Sequence, residues 1–135
     1  MIEKKKGEKW IAVTGTRTFD EHELLYCKMD FFVSNLSVPP VILVGGQKQR
    51  KFHSLNNYRW VGVDYFAGMW AYSKKYTLRI YHPESFEKSA LQASHREMVS
   101  EASSLIAFYD GKSKDVYFVI GLAEKKKIPI KIVKC

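Results

Sequence analysis

The sequence predicts an α/β fold, a mostly parallel five-stranded sheet covered by helices on both faces, and three observations predict it. Short, near-continuous apolar runs recur along the chain, as strands buried on both faces require. Between them lie stretches whose apolar residues repeat with helical period. The two kinds alternate from one end to the other, the order that joins parallel strands through right-handed helical crossovers.

The first strand is Trp10-Ile11-Ala12-Val13, running into Thr14-Gly15. Residues 21–36 then carry Leu25, Met29, Phe32 and Leu36 on one helical stripe. Asp20 is the expected N-cap, Glu23 approximates a capping box, and Pro39-Pro40 stops the helix from extending. Val41-Ile42-Leu43-Val44 is the clearest buried strand, ended by Gly45-Gly46. Residues 63–75 read as a helix, 77–81 as a strand, 90–103 as a helix and 105–109 as a strand. A helix over 115–127, with Val116, Val119, Leu122 and Ala123 inward, leads to a last strand over 128–133 with Pro129 at its start, where a missing N–H costs least. The pattern is that of a single Rossmann-like three-layer sandwich over 10–135, preceded by a basic, solvated tail over 1–9.

One connection breaks the rule of short loops. Residues 45–62 separate the second strand from its helix, where two to about six residues are usual. The insertion at about 47–60 holds Lys48, Arg50, Lys51, Arg59 and His53 among Phe52, Tyr58 and Trp60. It is expected to serve as a lid, with Arg50, Tyr58, Arg59 and Trp60 as its working residues and Tyr58 or Trp60 stacking on a base.

Lys and Arg number 22 against 14 Asp and Glu, a net charge of +8. That balance favours anionic partners without choosing among nucleotides, nucleic acid and acidic proteins. Cys27 and Cys135 form no Cys-x-x-Cys, so neither a zinc finger nor a disulfide framework is expected. The expectation is one core thiol and one terminal thiol in a reducing cytoplasm. No apolar run approaches a membrane span and no secretory signal opens the chain, so the expected location is cytoplasmic, without a membrane partner.

In a parallel sheet all βα loops emerge at one edge. Thr14-Gly15-Thr16-Arg17 offers close backbone approach and a bidentate guanidinium. Gly45-Gly46 follows the second strand, with Gly62-Val63-Asp64 after the insertion. Ser94-His95-Arg96-Glu97 is placed early in the third helix, and Asp110-Gly111-Lys112-Ser113 follows the fourth strand. Together they describe a pocket for a phosphate-bearing ligand. Asp64 and Glu97 are read as helix-terminal stabilisers, with acid or base roles as the alternative. The sequence contains no P-loop, no Gly-x-Gly-x-x-Gly and no nucleophile elbow, and His22, His53, His82 and His95 have no metal-ligand spacing. No metal or cofactor is expected.

Five pieces of the chain resemble the SLOG superfamily, Rossmann-like nucleotide-binding proteins that include the LOG phosphoribohydrolases and the DprA/Smf domain. They are 12–17, Val44-Gly45-Gly46 resumed at Gly62-Val63-Asp64, His95-Arg96-Glu97-Met98, 106–113 and 126–130. The resemblance implies nucleotide binding by Thr14, Gly15, Thr16, Arg17, Gly45, Gly46, Asp64, His95, Arg96, Glu97, Asp110, Gly111, Lys112 and Ser113, and pairing into a homo-oligomer. LOG enzymes continue with a Gly-Thr pair and a catalytic glutamate, where this chain has Lys114-Asp115-Val116-Tyr117, so LOG-type hydrolysis is not expected. The leading expectation is a non-enzymatic sensor, or a protein that sequesters a signalling nucleotide, as would suit a phage protein acting against host defence. The alternatives are a nucleotide-processing hydrolase of N-glycosidase or phosphodiesterase type, with Glu97 or Asp64 as acid or base and Arg96 as clamp, and a basic nucleic-acid-binding protein.

Overall fold

The computed structural model describes residues 7–47, 49–54, 57–85 and 87–135; Lys4, Lys5 and Lys6 of the expected tail and Lys48 of the insertion lie outside them. The elements run β1 (Trp10–Gly15), α1 (His22–Val33), β2 (Val41–Gly45), β3 (Gln49–Ser54), β4 (Asn57–Val61), α2 (Val63–Ser73), β5 (Thr77–Tyr81), α3 (Lys88–Glu101), β6 (Ser104–Tyr109), α4 (Lys114–Lys126) and β7 (Ile130–Lys134). Five strands form one sheet in the order β5-β2-β1-β6-β7, and every pairing in it is parallel. The insertion is not a loop: β3 and β4 pair antiparallel as a separate two-stranded hairpin.

Alternation along the strands divides the interior. Ile11, Val13, Ile42, Val44, Ile106 and Phe108 face α1 and α2, whereas Trp10, Ala12, Val41, Leu43, Leu105 and Ala107 face α3 and α4. Central strands buried on both faces cannot show a polar alternation, which is why they read as continuous apolar runs. Trp70 and Phe108 are fully buried, each contributing about 1.5–3 kcal/mol of transfer free energy.

The helices match their expected faces with local differences. On α1, Leu25, Met29 and Val33 are buried, while Phe32 and Leu36 pack at the margin of the same core. Asp20 is not its N-cap. Glu21 occupies that position without a side-chain cap bond, because the Asp20 carboxylate instead accepts hydrogen bonds from Lys51 and Arg59 of the hairpin. Three charge-assisted bonds, one from Lys51 and two from Arg59, outweigh one cap bond. Cys27 is exposed on α1, not in the core. Ser113 caps α4 by accepting from the Val116 N–H at 3.4 Å, and Asp115 stands in the first turn. The last strand begins at Ile130, and the Pro129 carbonyl accepts from the Leu105 N–H at 2.9 Å. At the end of α3, Lys126 Nζ donates to the carbonyls of Val99, Ser100 and Ala102 at 3.0, 2.6 and 2.8 Å, satisfying groups that a helix end leaves open. Among the described residues no helix is long and apolar enough to cross a membrane.

Candidate functional site

β1 and β6 are neighbours, yet α1 packs on one face of the sheet and α4 on the other. Divergence of the following helices opens a crevice at the carboxyl ends of the two strands, the switch point where open α/β sheets bind ligands. A cleft of about 300 Å³ lies there. The turn after β1 lines it with Thr14, Gly15, Thr16, Arg17 and Thr18. Asp110, Lys112, Ser113 and Asp115 come from the turn after β6 and the start of α4, Asp64 from α2 and His95 from α3. Gln47 and Gln49 reach it from the base of the hairpin.

Close packing shapes the first turn. A Cβ on Gly15 would stand 2.3 Å from Val63 Cγ2 and 2.8 Å from the Phe108 carbonyl oxygen, so only glycine lets β1 pass between α2 and β6. The Thr16 carbonyl accepts from the N–H groups of Phe19 and Val63, each at 3.2 Å, which ties the turn to the start of α2. In the turn after β6, Asp110 Oδ1 accepts from the N–H groups of Lys112 and Ser113 at 2.8 and 2.9 Å. Those bonds hold the Asp110 carboxyl below the usual carboxylate range. They also engage backbone donors of the kind that a phosphate would otherwise use.

Three groups in the cleft have unusual surroundings. His95 is 6% exposed, and its Nδ1 has no hydrogen-bond partner among the described residues. Burial lowers its pKa, opposed by the negative charge of Asp115, which keeps the ring neutral near pH 7. Thr16 Oγ1 is likewise buried without a partner. Asp64 retains partial exposure as a residue, but its carboxyl is enclosed. Desolvation pushes its pKa up to about 7, against the Gln47 N–H, which donates to Oδ2 at 3.3 Å, and against the charge of Arg17. Asp64 stands in the first turn of α2, so the helix-terminal placement holds, with proton exchange near neutrality added to it. Arg17 lies 4.0 Å from Asp115, both well exposed, a pair worth little to stability.

The other expected residues lie elsewhere. A Cβ on Gly45 would meet Asp64 Oδ2 at 2.7 Å, and one on Gly46 would meet His82 Nδ1 at 2.1 Å; these glycines make room for side chains. Gly111, at a φ of 81°, forms the apex of the Asp110–Ser113 turn. His95-Arg96-Glu97 sits in the middle of α3, not early in it, because that helix begins at Lys88. Arg96 points to Phe118, its guanidinium carbon 5.5 Å from the ring centroid, and Glu97 lies in a separate depression with Arg79 and Tyr81. Of the lid residues, Arg59 binds Asp20, Tyr58 packs edge-on against Phe52 at 5.6 Å, and Arg50 stacks on Trp60 at 5.3 Å. Trp60 lines a second groove of about 530 Å³ that shares Arg17 and Gln47 with the cleft. Thr18, Gln47, Gln49 and Asp115 are the cleft residues outside the expected set; the two glutamines carried no chemical signal, although Gln49 shares its hairpin face with buried Val61. Among the described residues no cluster of His, Cys, Asp and Glu has the arrangement of a metal site.

The architecture defines an α/β protein with a parallel five-stranded sheet and a polar cleft at its switch point. No protein-family model matches the chain, and no curated protein matches it. Among solved structures it is similar to a protein of the universal stress protein family from Burkholderia pseudomallei, at 11% identity over 93% of this chain and 96% of that one, with a TM-score of 0.43. A likeness that slight carries no argument about function.

Proposed function

We propose that this chain binds a nucleotide or nucleotide-derived signalling molecule in the switch-point cleft, as a non-enzymatic sensor or sequestering protein. The observation that carries the reading is the pair of buried polar atoms, His95 Nδ1 and Thr16 Oγ1, left without partners in that cleft. Leaving a buried donor or acceptor unsatisfied costs about 1–3 kcal/mol, and a ligand with hydroxyl or heterocyclic groups removes the cost. Neutral His95 and the carboxyls of Asp64 and Asp115 suit ribose hydroxyls and base edges, while Arg17 and Lys112 supply the positive charge that a phosphate needs. The resemblance of the two ligand turns to those of SLOG proteins points the same way.

A second reading rests on Asp64. A carboxyl in a cleft with a pKa of about 7 is suited to exchange a proton with substrate at neutral pH, as in an N-glycosidase acting on a nucleotide. Glu97 and Arg96 have no part in that version, since neither lines the cleft. One experiment tests both readings. Native mass spectrometry of the purified protein, then thermal shift with linear and cyclic nucleotides, should detect a ligand that is released chemically intact. A ligand at 100 times its dissociation constant adds about 2.7 kcal/mol. Turnover to free base that is lost in Asp64→Asn would move the chain to the enzyme class. The absence of any nucleotide-dependent shift would overturn the binding reading.

A further inference from the structure

We infer that the ligand is two-headed: a dinucleotide whose bridging phosphate lies at Arg17 and whose second base occupies the groove walled by Trp60, Pro83 and Leu91. This rests on the binding reading above and specifies its ligand class. The cleft of about 300 Å³ and the groove of about 530 Å³ are contiguous, since Arg17 and Gln47 line both. They differ in chemistry. Carboxyls, hydroxyls and neutral His95 surround the cleft, whereas the groove has an indole, a proline ring and a leucine among its walls.

Arg17 stands at the junction, with its side chain 58% exposed, where one phosphate linking two nucleosides meets a guanidinium. Glu84 also lines the groove, and its charge repels a further phosphate and admits a neutral heterocycle. A nucleoside triphosphate tail is therefore the wrong shape of charge for this groove, and a second nucleoside is the right one. The Trp60 wall is held in place. Arg50 stacks on the indole, the hairpin is pinned through Asp20, and the Gly62 N–H donates to the Phe19 carbonyl at 2.8 Å. The inserted hairpin thus works as one side of a base-stacking slot, and a base sandwiched there adds affinity that a mononucleotide cannot gain.

The test is isothermal titration of the full chain with the 5′-monophosphates of the four common ribonucleosides, their triphosphates, and the phosphate-bridged dinucleotides of the same bases. At least one dinucleotide should bind tenfold or more tightly than its parent monophosphate, and the triphosphate no better than the monophosphate. Trp60→Ala should abolish that gain, with Trp60→Phe retaining part of it. Leu91→Glu, in the groove lining but on α3, should act like Trp60→Ala without touching the hairpin. Equal affinity for monophosphate and dinucleotide, or a gain that survives both Trp60→Ala and Leu91→Glu, overturns this inference and leaves the binding reading intact. If no member of the panel binds, both fall together.

Discussion

Replacing Asp64 by asparagine should stabilise the protein, by an amount that grows as pH rises from about 4 to about 7 and is full above it. The carboxyl has a pKa of about 7 in the folded chain against 3.8 for an ordinary aspartate. Between those values the folded state holds a proton that the unfolded chain has released, so stability falls as pH rises and the loss is complete above the folded pKa. A shift of about three units at about 1.4 kcal/mol each sets a ceiling of about 4 kcal/mol. Relaxation of the site and entry of water reduce the cost of an enclosed charge, and about 2 kcal/mol is the working figure. The amide of the variant keeps an oxygen to accept the Gln47 N–H, so the backbone there is not disturbed. His95 slopes the other way, because its folded pKa lies below 6.5; its contribution is full above that value and declines as pH falls. The comparison of variant with wild type cancels His95 and isolates Asp64. Urea unfolding at about pH 3 and about pH 8 measures the difference, which should be near zero at the first and about 2 kcal/mol at the second. Parallel pH profiles for the two proteins would show that the carboxyl is not desolvated as described.

Three further outcomes are expected. Asp20→Ala removes the anchor that holds Lys51 and Arg59; global stability should fall by only about 0.5–1.5 kcal/mol, while amide exchange in β3 and β4 accelerates, and unchanged exchange there would refute the anchoring role. Gly15→Ala places a methyl 2.3 Å from Val63 Cγ2 and should cost more than about 2 kcal/mol by overpacking, read as a lowered thermal midpoint. Lys126→Met leaves the α3 carbonyls without their ammonium and should cost about 1.5–3 kcal/mol, with Lys126→Arg recovering part of it.

The parallel sheet was legible because strands buried on two faces and helices buried on one leave different apolar periods in the sequence. β5 was found at its observed bounds, with His82-Pro83 marking its end, where proline cannot continue a ladder. The hairpin was hidden. One face carries Arg50, Phe52, Tyr58 and Trp60 and the other Lys51 and Arg59, so charged residues appear on both faces and no apolar–polar alternation marks β3 and β4. Asp20 was misassigned because a cap is a local contact, and the competing partners lie across the fold at Lys51 and Arg59. In the cleft, turn residues on β1 and β6 could be read from glycine and hydroxyl spacing. The Asp64 environment could not, since it depends on Gly45 yielding the space that the carboxyl fills. Arg96 and His95 are adjacent in sequence, yet one is exposed over Phe118 and the other buried in the cleft; helix rotation separates them by about 100°.

The sheet that carries the cleft is also a septum, with separate clusters of buried side chains on its two sides. Ala12 and Val13 are chain neighbours that belong to different interiors, whereas Val13 and Trp70, distant in sequence, share one. Truncations at Trp70 and Met98 should therefore add, because they disturb packing that has no common member, while truncations at Val13 and Trp70 should not. Sequence drift in the α3–α4 compartment can proceed without a compensating change in the α1–α2 compartment. The turn between β1 and α1 is where the two histories meet, since Gly15 is pressed between Val63 of one helix layer and the β6 backbone that supports both.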